Sequence, residues 1–352
     1  MSPAGAGQPL PETMRAWQVE RHGTPSQALS LVEVAVPAPG PGQLLIKVSA
    51  AALNFPDVLL AAGRYQVRPE LPFTPGVEAC GQVVAVGEGV PSARVGSRVL
   101  GMLDLPHGGL AEYALAGSTN VHDAPPVLDD AEAASLYIGY QTAWFALHRR
   151  AGLQRGETLL VHAAAGGVGS AAVQLGKAAG ARVVGVVGGA HKVAVAHALG
   201  CDQVVDRTAG DLTTALKEAV GRRGADVVLD PVGGDSFTAS TKVVAFEGRI
   251  VVVGFTSGTI AQAATNHALV KNYAVLGLHW GMYQTKNPAL VQRCHAELCD
   301  LARSGVVAPL VSRHLDLDDV VGGLELLGAG RTTGRLVVHP AGVPAGAGVP
   351  GG

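Results

Sequence analysis

The stretch Glu157–Ala181, ETLLVHAAAGGVGSAAVQLGKAAGA, constrains the fold of this chain more than any other. It reads as a short apolar strand (Thr158 to Ala163, bounded by Gly156), then a glycine-rich turn, then an amphipathic helix. The turn carries Ala164, Gly166 and Gly169 in the A-x-G-x-x-G form of the dinucleotide fingerprint, with Gly167 and Val168 inside it. Ala164 suits a tight turn, Gly166 lets the backbone approach a pyrophosphate, and Gly169 lets the helix pack close on the strand. The helix start points unpaired N–H groups and a partial positive charge at the phosphates. With 48 glycines in 352 residues, a glycine pattern alone discriminates poorly, and a turn that merely packs is the competing reading. Context decides: a second apolar strand, Arg182 to Val187, follows the helix and completes the β-α-β unit that the motif requires.

The end of that second strand indicates the cofactor. A site for NAD places Asp or Glu about 20 residues on, to hold the ribose 2′-hydroxyl. Here the strand runs out as Val187-Gly188-Gly189-Ala190-His191-Lys192, with no acid. An acid would repel a 2′-phosphate, whereas Lys192 would bind one as a point charge. The expected cofactor is NADPH, with Gly188 and Lys192 at its adenosine end.

A chain of this length points to two domains with a large core. Its net charge of −2 gives no reason to expect nucleic acid or an anionic membrane as partner. Cys80, Cys201, Cys294 and Cys299 are scattered without a C-x-x-C, against a disulfide framework or a structural zinc lobe and in keeping with a reducing compartment. The opening MSPAGAGQPLPET lacks the features of a signal peptide, and no apolar run reaches the length of a membrane span. A cytoplasmic protein is expected.

In chain order, residues 1–13 are Pro/Gly/Ala-rich and expected to be disordered. Short β-like runs follow at Arg15–Val19, Leu29–Val34, Gln43–Ala51, Gly81–Val86, Arg98–Met102 and Leu110–Ala116, a barrel-like pattern. Asp129 to Leu147 reads as a helix with an acidic first turn. Beyond the fingerprint unit, strands are expected at Gln203–Val205, Asp226–Leu229, Arg249–Val253 and Ala274–Leu278, and a helix at Pro288–Ser304. About six strands in one sheet is the doubly wound expectation. Ala308–Leu315 and Gly334–His339 look β-like again, as if the chain returns to its first domain, and 341–352 is a low-complexity tail expected to fray.

Several further stretches keep their order and spacing: Asn54-Phe55-Pro56-Asp57, Gly63-Arg64-Tyr65-Gln66, Pro72-Phe73-Thr74-Pro75-Gly76-Val77-Glu78, Asp230-Pro231-Val232-Gly233-Gly234, Val253-Gly254-Phe255 and Leu278-His279-Trp280-Gly281. Together with the fingerprint they resemble the zinc-free quinone oxidoreductase (ζ-crystallin-like) branch of the medium-chain dehydrogenase/reductase superfamily, over roughly Met14 to Pro340. The resemblance implies an α/β Rossmann domain, a doubly wound parallel sheet, inserted into a GroES-like β-barrel domain, with the active site in the cleft between them. The expected divisions are 14–136 for the first part of the barrel domain, 137–307 for the Rossmann domain and 308–340 for the return. By the same resemblance Thr142 meets the nicotinamide, Gly254 and Phe255 line it, and Gly233 and Gly234 form a turn near its ribose.

Zinc alcohol dehydrogenases of this superfamily use a Cys where Asn54 stands and a His in a G-H-E motif that here reads Gly76-Val77-Glu78. Valine cannot ligate zinc and asparagine ligates it poorly, so no catalytic metal is expected. Without a Lewis acid, the favoured reaction is hydride transfer to an already electron-poor acceptor, whose charge collects on a distant oxygen. Such a site needs hydrogen-bond donors, a proton source and little water. The catalytic candidates are Asn54, donating an amide N–H to the oxyanion; Tyr65, delivering a hydrogen bond or proton from its phenol; and Asp57, orienting one of these. Glu78 reads as structural.

The leading expectation is an NADPH-dependent, zinc-independent reductase of quinones or α,β-unsaturated carbonyls. An enoyl-thioester reductase of acyl-CoA or polyketide metabolism is the rival within enzymes. An NADPH-binding, crystallin-like scaffold is the non-enzymatic one, and stoichiometric zinc in the purified protein would point instead to an alcohol dehydrogenase. A homodimer is expected from the family, with Ala274–Leu278 as an apolar edge strand suited to pairing.

Overall fold

A computed structural model describes residues 9–345. The expected disorder of 1–8 and 346–352 lies outside the described residues. Inside them it is corrected at both ends: Thr13 already belongs to the first strand, and at 341–345 the Gly342 N–H donates to the His339 carbonyl (3.0 Å) and the Val343 N–H to Asp316 Oδ1 (2.9 Å).

The chain divides into two compact units. One holds the residues up to Asp123, Leu315–Glu325 and the segment from Val338; the other holds Ala124–His314 and Leu326–Val337.

The first unit is built from β1 (Thr13–Val19), β2 (Leu29–Ala35), β3 (Gln43–Ala52), β4 (Glu78–Val86), β5 (Arg98–Met102), β6 (Tyr113–Gly117) and β7 (Val121–Asp123). β1 and β2 form an antiparallel pair, while β3, β4, β5 and β7 are hydrogen-bonded in that order and β6 pairs with β3. Met14 and Ala16 of β1, Leu45 of β3, Tyr113 and Leu115 of β6, and the neighbouring Ala111 close a core between them. The return segment docks here through the Trp17 indole N–H, which donates to the Leu317 carbonyl at 2.6 Å. The short helix Phe55–Ala61 was not expected from the sequence. Asn54 is its extended N-cap (φ −118°, ψ 150°), Pro56 lies in its first turn, and the Asp57 carboxylate reaches back to the Asn54 N–H at 2.8 Å.

The second unit holds a six-stranded sheet of β8 (Thr158–His162), β9 (Arg182–Val187), β10 (Gln203–Asp206), β11 (Ala225–Asp230), β12 (Val244–Val252) and β13 (Ala274–Gly277). The strands are all parallel in the order β10-β9-β8-β11-β12-β13, the doubly wound arrangement that the sequence predicts. β8 and β11 are buried along their whole length, which explains why they read as continuous apolar runs rather than alternating ones. Leu160, Val184, Val228, Phe237 and Ile250 are among the residues of the core here. β14 (Val311–Asp316) and β15 (Arg335–His339) carry the chain across the boundary between the units.

The helix Asp130–Trp144 begins with Asp129 and Glu132 exchanging backbone hydrogen bonds and continues as a π-helical stretch, Phe145–Ala151, that ends at left-handed Gly152 (φ 61°). Among the described residues no helix is long and apolar enough to cross a membrane.

Candidate active site

Two clusters carry the candidate chemistry, one in each unit. In the second unit β8 and β11 are neighbours although the strand order reverses between them, and the crevice at the carboxyl ends of such strands is where doubly wound sheets bind ligands. The fingerprint turn lies there. Its left-handed residue is Ala163 (φ 52°), so the tight bend comes one position before Ala164, which is fully buried against β9. The helix Gly167–Ala178 follows, with Gly166 as its extended N-cap (φ −90°, ψ 179°) and Val168 half-buried in its first turn.

The glycines divide by what they touch. A Cβ on Gly169 would lie 2.0 Å from the Ala163 carbonyl oxygen, so this position packs helix on strand and tolerates no side chain. A Cβ on Gly166 would meet only that same oxygen at 3.2 Å, which leaves its outer face open. Behind the turn, Gly334 donates to the Ala165 carbonyl (2.6 Å), and the Arg335 side chain lies where a Gly167 Cβ would meet its Cδ at 2.8 Å. That guanidinium beside a helix N-terminus adds positive charge to a set of unpaired N–H groups.

Gly233 (φ 73°) opens the helix Gly234–Val243, and a Cβ on it would strike the Thr259 carbonyl oxygen at 2.7 Å and the Phe255 ring at 2.9 Å. Phe255 is an exposed aromatic, and Gly254 sits against Pro231, whose carbonyl accepts from the Thr256 N–H at 3.0 Å. The Gly233–Gly234 turn and the Gly254–Phe255 segment are therefore one interlocked surface. Thr142 is half-buried near the end of the helix Asp130–Trp144.

At the end of β9 the arrangement differs from the sequence expectation. Lys192 is buried, and its ammonium donates to the Gly330 carbonyl at 2.6 Å. Burial, and then the charge of Arg207, push its pKa down. The exposed cation nearest Gly188 is Arg207, whose Nε and Nη2 would lie 3.0 and 3.1 Å from a Cβ there. Sequence reading missed Arg207 because β10 brings it in: Asp206 pairs with Val187, and Arg207 comes next. Asp206 also lies here, and its Oδ1 is occupied by the Gly189 N–H (2.9 Å) and by the Thr208 N–H and hydroxyl.

In the first unit, Asn54, Asp57, Tyr65 and Glu78 form the second cluster. Asp57 is fully buried and clamps two backbone segments, accepting from Asn54 N–H through Oδ2 and from Gly76 N–H at 3.0 Å through Oδ1. The Asn54 amide donates to the Ala52 carbonyl (3.0 Å) and to Glu78 Oε2 (3.1 Å). The Ala52 carbonyl can only accept, so the amide nitrogen must face it, and both of its hydrogens are engaged in this state. Tyr65 is half-buried, and burial, then the Asp57 carboxylate, raise its pKa above that of a free phenol. Its hydroxyl therefore stays protonated and able to donate through neutral pH. Among the described residues there is no group of three or more His, Cys, Asp or Glu that could hold a metal ion.

Comparison with known proteins agrees with both halves. Residues 40–126 match the alcohol dehydrogenase GroES-like domain, and residues 167–296 match the zinc-binding dehydrogenase family. Over 302 residues the chain is 36% identical to the quinone oxidoreductase-like protein 2 homolog of Nematostella vectensis, covering 85% of this chain and 82% of that one. A mycobacterial protein solved in complex with NADPH is 31% identical with a TM-score of 0.85, over 93% of this chain and 100% of its own. The quinone oxidoreductase of Pseudomonas syringae gives the same identity, TM-score and coverage.

Proposed function

This chain belongs to the quinone oxidoreductase family of the medium-chain dehydrogenase/reductase superfamily, and from that premise we propose that it reduces quinones or α,β-unsaturated carbonyls with NADPH and without a metal. The observation that carries the cofactor half is the exposed Arg207 guanidinium beside Gly188, where the neighbouring acid, Asp206, is engaged by the Gly189 N–H and by Thr208, above a fingerprint turn whose Gly166 face is open. An arginine fork suits a 2′-phosphate better than a lysine point charge, and the Lys192 ammonium is already engaged by the Gly330 carbonyl. Gly167 and Val168 offer backbone N–H groups to the pyrophosphate, while Gly166, whose own N–H is held by the Ala163 carbonyl at 2.8 Å, leaves the approach open, with Ala164 and Gly169 setting the turn. Thr142, Gly233, Gly254 and Phe255 are proposed to meet the nicotinamide riboside.

NADPH, when bound, supplies the hydride. The work of the chain is to orient the acceptor, donate to its oxygen and supply a proton. Tyr65 is the proposed donor, because its phenol is kept neutral beside a buried carboxylate. Asn54 is proposed to position the acceptor; donation of its N–H to a substrate oxygen requires exchange of its bond to Glu78. Asp57 holds Asn54 and Gly76 in place. Metal independence is supported by the donor set: Asn54 and Val77 stand at the two positions where a thiolate and an imidazole would be needed, so the residues present do not fit zinc.

A homodimer is part of the proposal. β13 is an edge strand with Ala274 and Val275 exposed, and the preceding helix Thr265–Lys271 buries none of its residues and leaves Leu269 and Val270 more than 70% exposed. A second copy of the chain paired edge to edge would cover them. Sedimentation of the wild type as a monomer would remove this part alone.

The cofactor assignment is tested by Arg207→Ala. The expected result is a Kd for NADPH raised about tenfold with NADH affinity unchanged, the loss of one charge-assisted contact. Equal weakening of both cofactors would refute the placement of the 2′-phosphate.

A further inference from the structure

Below the fingerprint turn, His162 ends β8 and Asp230 ends β11. The preceding residues Val161 and Leu229 pair, which sets His162 and Asp230 side by side, both fully buried. His162 Nε2 lies 2.8 Å from the Ser240 hydroxyl, and that hydroxyl lies 2.8 Å from the Ser236 carbonyl. A hydroxyl has one hydrogen. Given to the Ser236 carbonyl, it cannot also go to the imidazole, so Ser240 must accept from His162 Nε2–H. Burial, outweighing the nearby Asp230 charge, holds the His162 pKa down, so the ring is neutral and its Nδ1 is a bare acceptor.

Asp230 presents the complementary situation. Its Oδ1 accepts from Val232 N–H (2.8 Å) and Gly233 N–H (2.9 Å), and so fixes the turn that leads into Gly233–Gly234. Its Oδ2 is buried and bonded to no protein donor, and the same holds for His162 Nδ1. Two adjacent buried acceptors repel each other unless a donor stands between them, and leaving both unmet is destabilising. A single water with its two hydrogens satisfies both, and every donor and acceptor in the set is then accounted for.

We propose that His162, through one internal water shared with Asp230 Oδ2, is a positioning residue for the Val232–Gly233 turn of the dinucleotide site. The role in cofactor binding rests on the NADPH reading given above; the water-bridged pair does not. His162 touches neither substrate nor cofactor in this arrangement. It acts by holding the carboxylate that holds the turn.

Nitrogen-15 spectra of the histidine side chains in the full-length chain read the network directly. The resonance absent from His162→Asn identifies His162. It is expected as the neutral Nε2–H form at pH 7; an Nδ1–H form or an imidazolium would overturn the proposal. Two variants test the positioning role by calorimetric titration with NADPH. Asparagine keeps an acceptor near the Nδ1 position, whereas glutamine reaches only toward Ser240. His162→Asn is expected to bind NADPH within about threefold of wild type, and His162→Gln about tenfold more weakly, with kcat at saturating NADPH altered less than twofold in either. The reverse order of affinities, or a loss confined to kcat, would overturn it. Failure of the wild type to bind NADPH would refute the functional reading, and the tautomer would still decide the water-bridged pair.

Discussion

Gly166→Ala and Gly169→Ala separate binding from packing at the fingerprint. Position 166 has φ −90° and ψ 179°, open to any residue, and a methyl there meets only the Ala163 oxygen at 3.2 Å. The cost to folding is that of alanine at an N-cap, about 0.5–1 kcal/mol, or a fall in Tm of no more than about 4 °C for a unit of this size. The methyl does occupy the face that a pyrophosphate must approach. Losing one or two charge-assisted N–H contacts removes about 2–3 kcal/mol, so the Kd for NADPH should rise roughly 30- to 150-fold. Position 169 is the reverse case. Its methyl would stand 2.0 Å from a backbone oxygen and 2.7 Å from the attached carbon, so helix and strand must separate by about 1 Å. Overpacking of this kind costs about 1–3 kcal/mol, and NADPH affinity falls along with Tm because the turn itself moves. Thermal unfolding and fluorescence titration of both variants give the four numbers required. The assignment of Gly166 to the pyrophosphate is refuted if Gly166→Ala binds NADPH within threefold of wild type.

Further outcomes follow from the same geometry. Tyr65→Phe should lower kcat about 100-fold, the usual scale for a lost proton donor, while the KM for NADPH stays within twofold; a change in KM alone would make Tyr65 a binding residue. Asp57→Ala strips two buried N–H groups of their acceptor and should destabilise the first unit by about 2–4 kcal/mol in urea unfolding. The Glu157–Arg249 pair (2.8 Å) opposes the burial that would raise the Glu157 pKa and leaves it below its ordinary value. Its contribution is therefore present above the unfolded carboxyl pKa and fades as pH falls through the folded one, so Glu157→Gln should lower Tm at pH 7 and converge on wild type once the pH is below the folded carboxyl pKa. All four cysteines are buried and outside any disulfide, and burial pushes the Cys201 thiol up to about 12, so alkylation of the native protein at pH 8 should be slow and should accelerate only in denaturant.

The parts of the fold that were legible in sequence are those with local causes. β8, the fingerprint turn and β9 are contiguous, and their apolar runs and glycine spacing are visible without any partner. The helix Phe55–Ala61 was not expected, although its start is written in Asn54, Pro56 and Asp57. The Asp57 carboxylate has its meaning only when Gly76, 19 residues on, folds back to it. Lys192 and Arg207 show the same limit more sharply. A lysine after a strand looks like a phosphate ligand, but its ammonium is engaged by a carbonyl 138 residues away. The arginine that faces Gly188 is brought there by strand pairing, which no local pattern reveals. The Asn54 amide likewise has its hydrogens taken by Ala52 and Glu78, a fact of tertiary contact. Residue types at motif positions identify the family; which atoms remain free to act depends on neighbours distant in sequence.

The most direct test is NADPH oxidation at 340 nm by chelator-treated enzyme with a quinone, a 2-alkenal and a crotonyl thioester as acceptors. Turnover of the quinone or the alkenal with NADPH, faster than with NADH and unaffected by added zinc, is the predicted result. Activity that appears only when zinc is restored, or tight NADPH binding with no turnover of any acceptor, would contradict it.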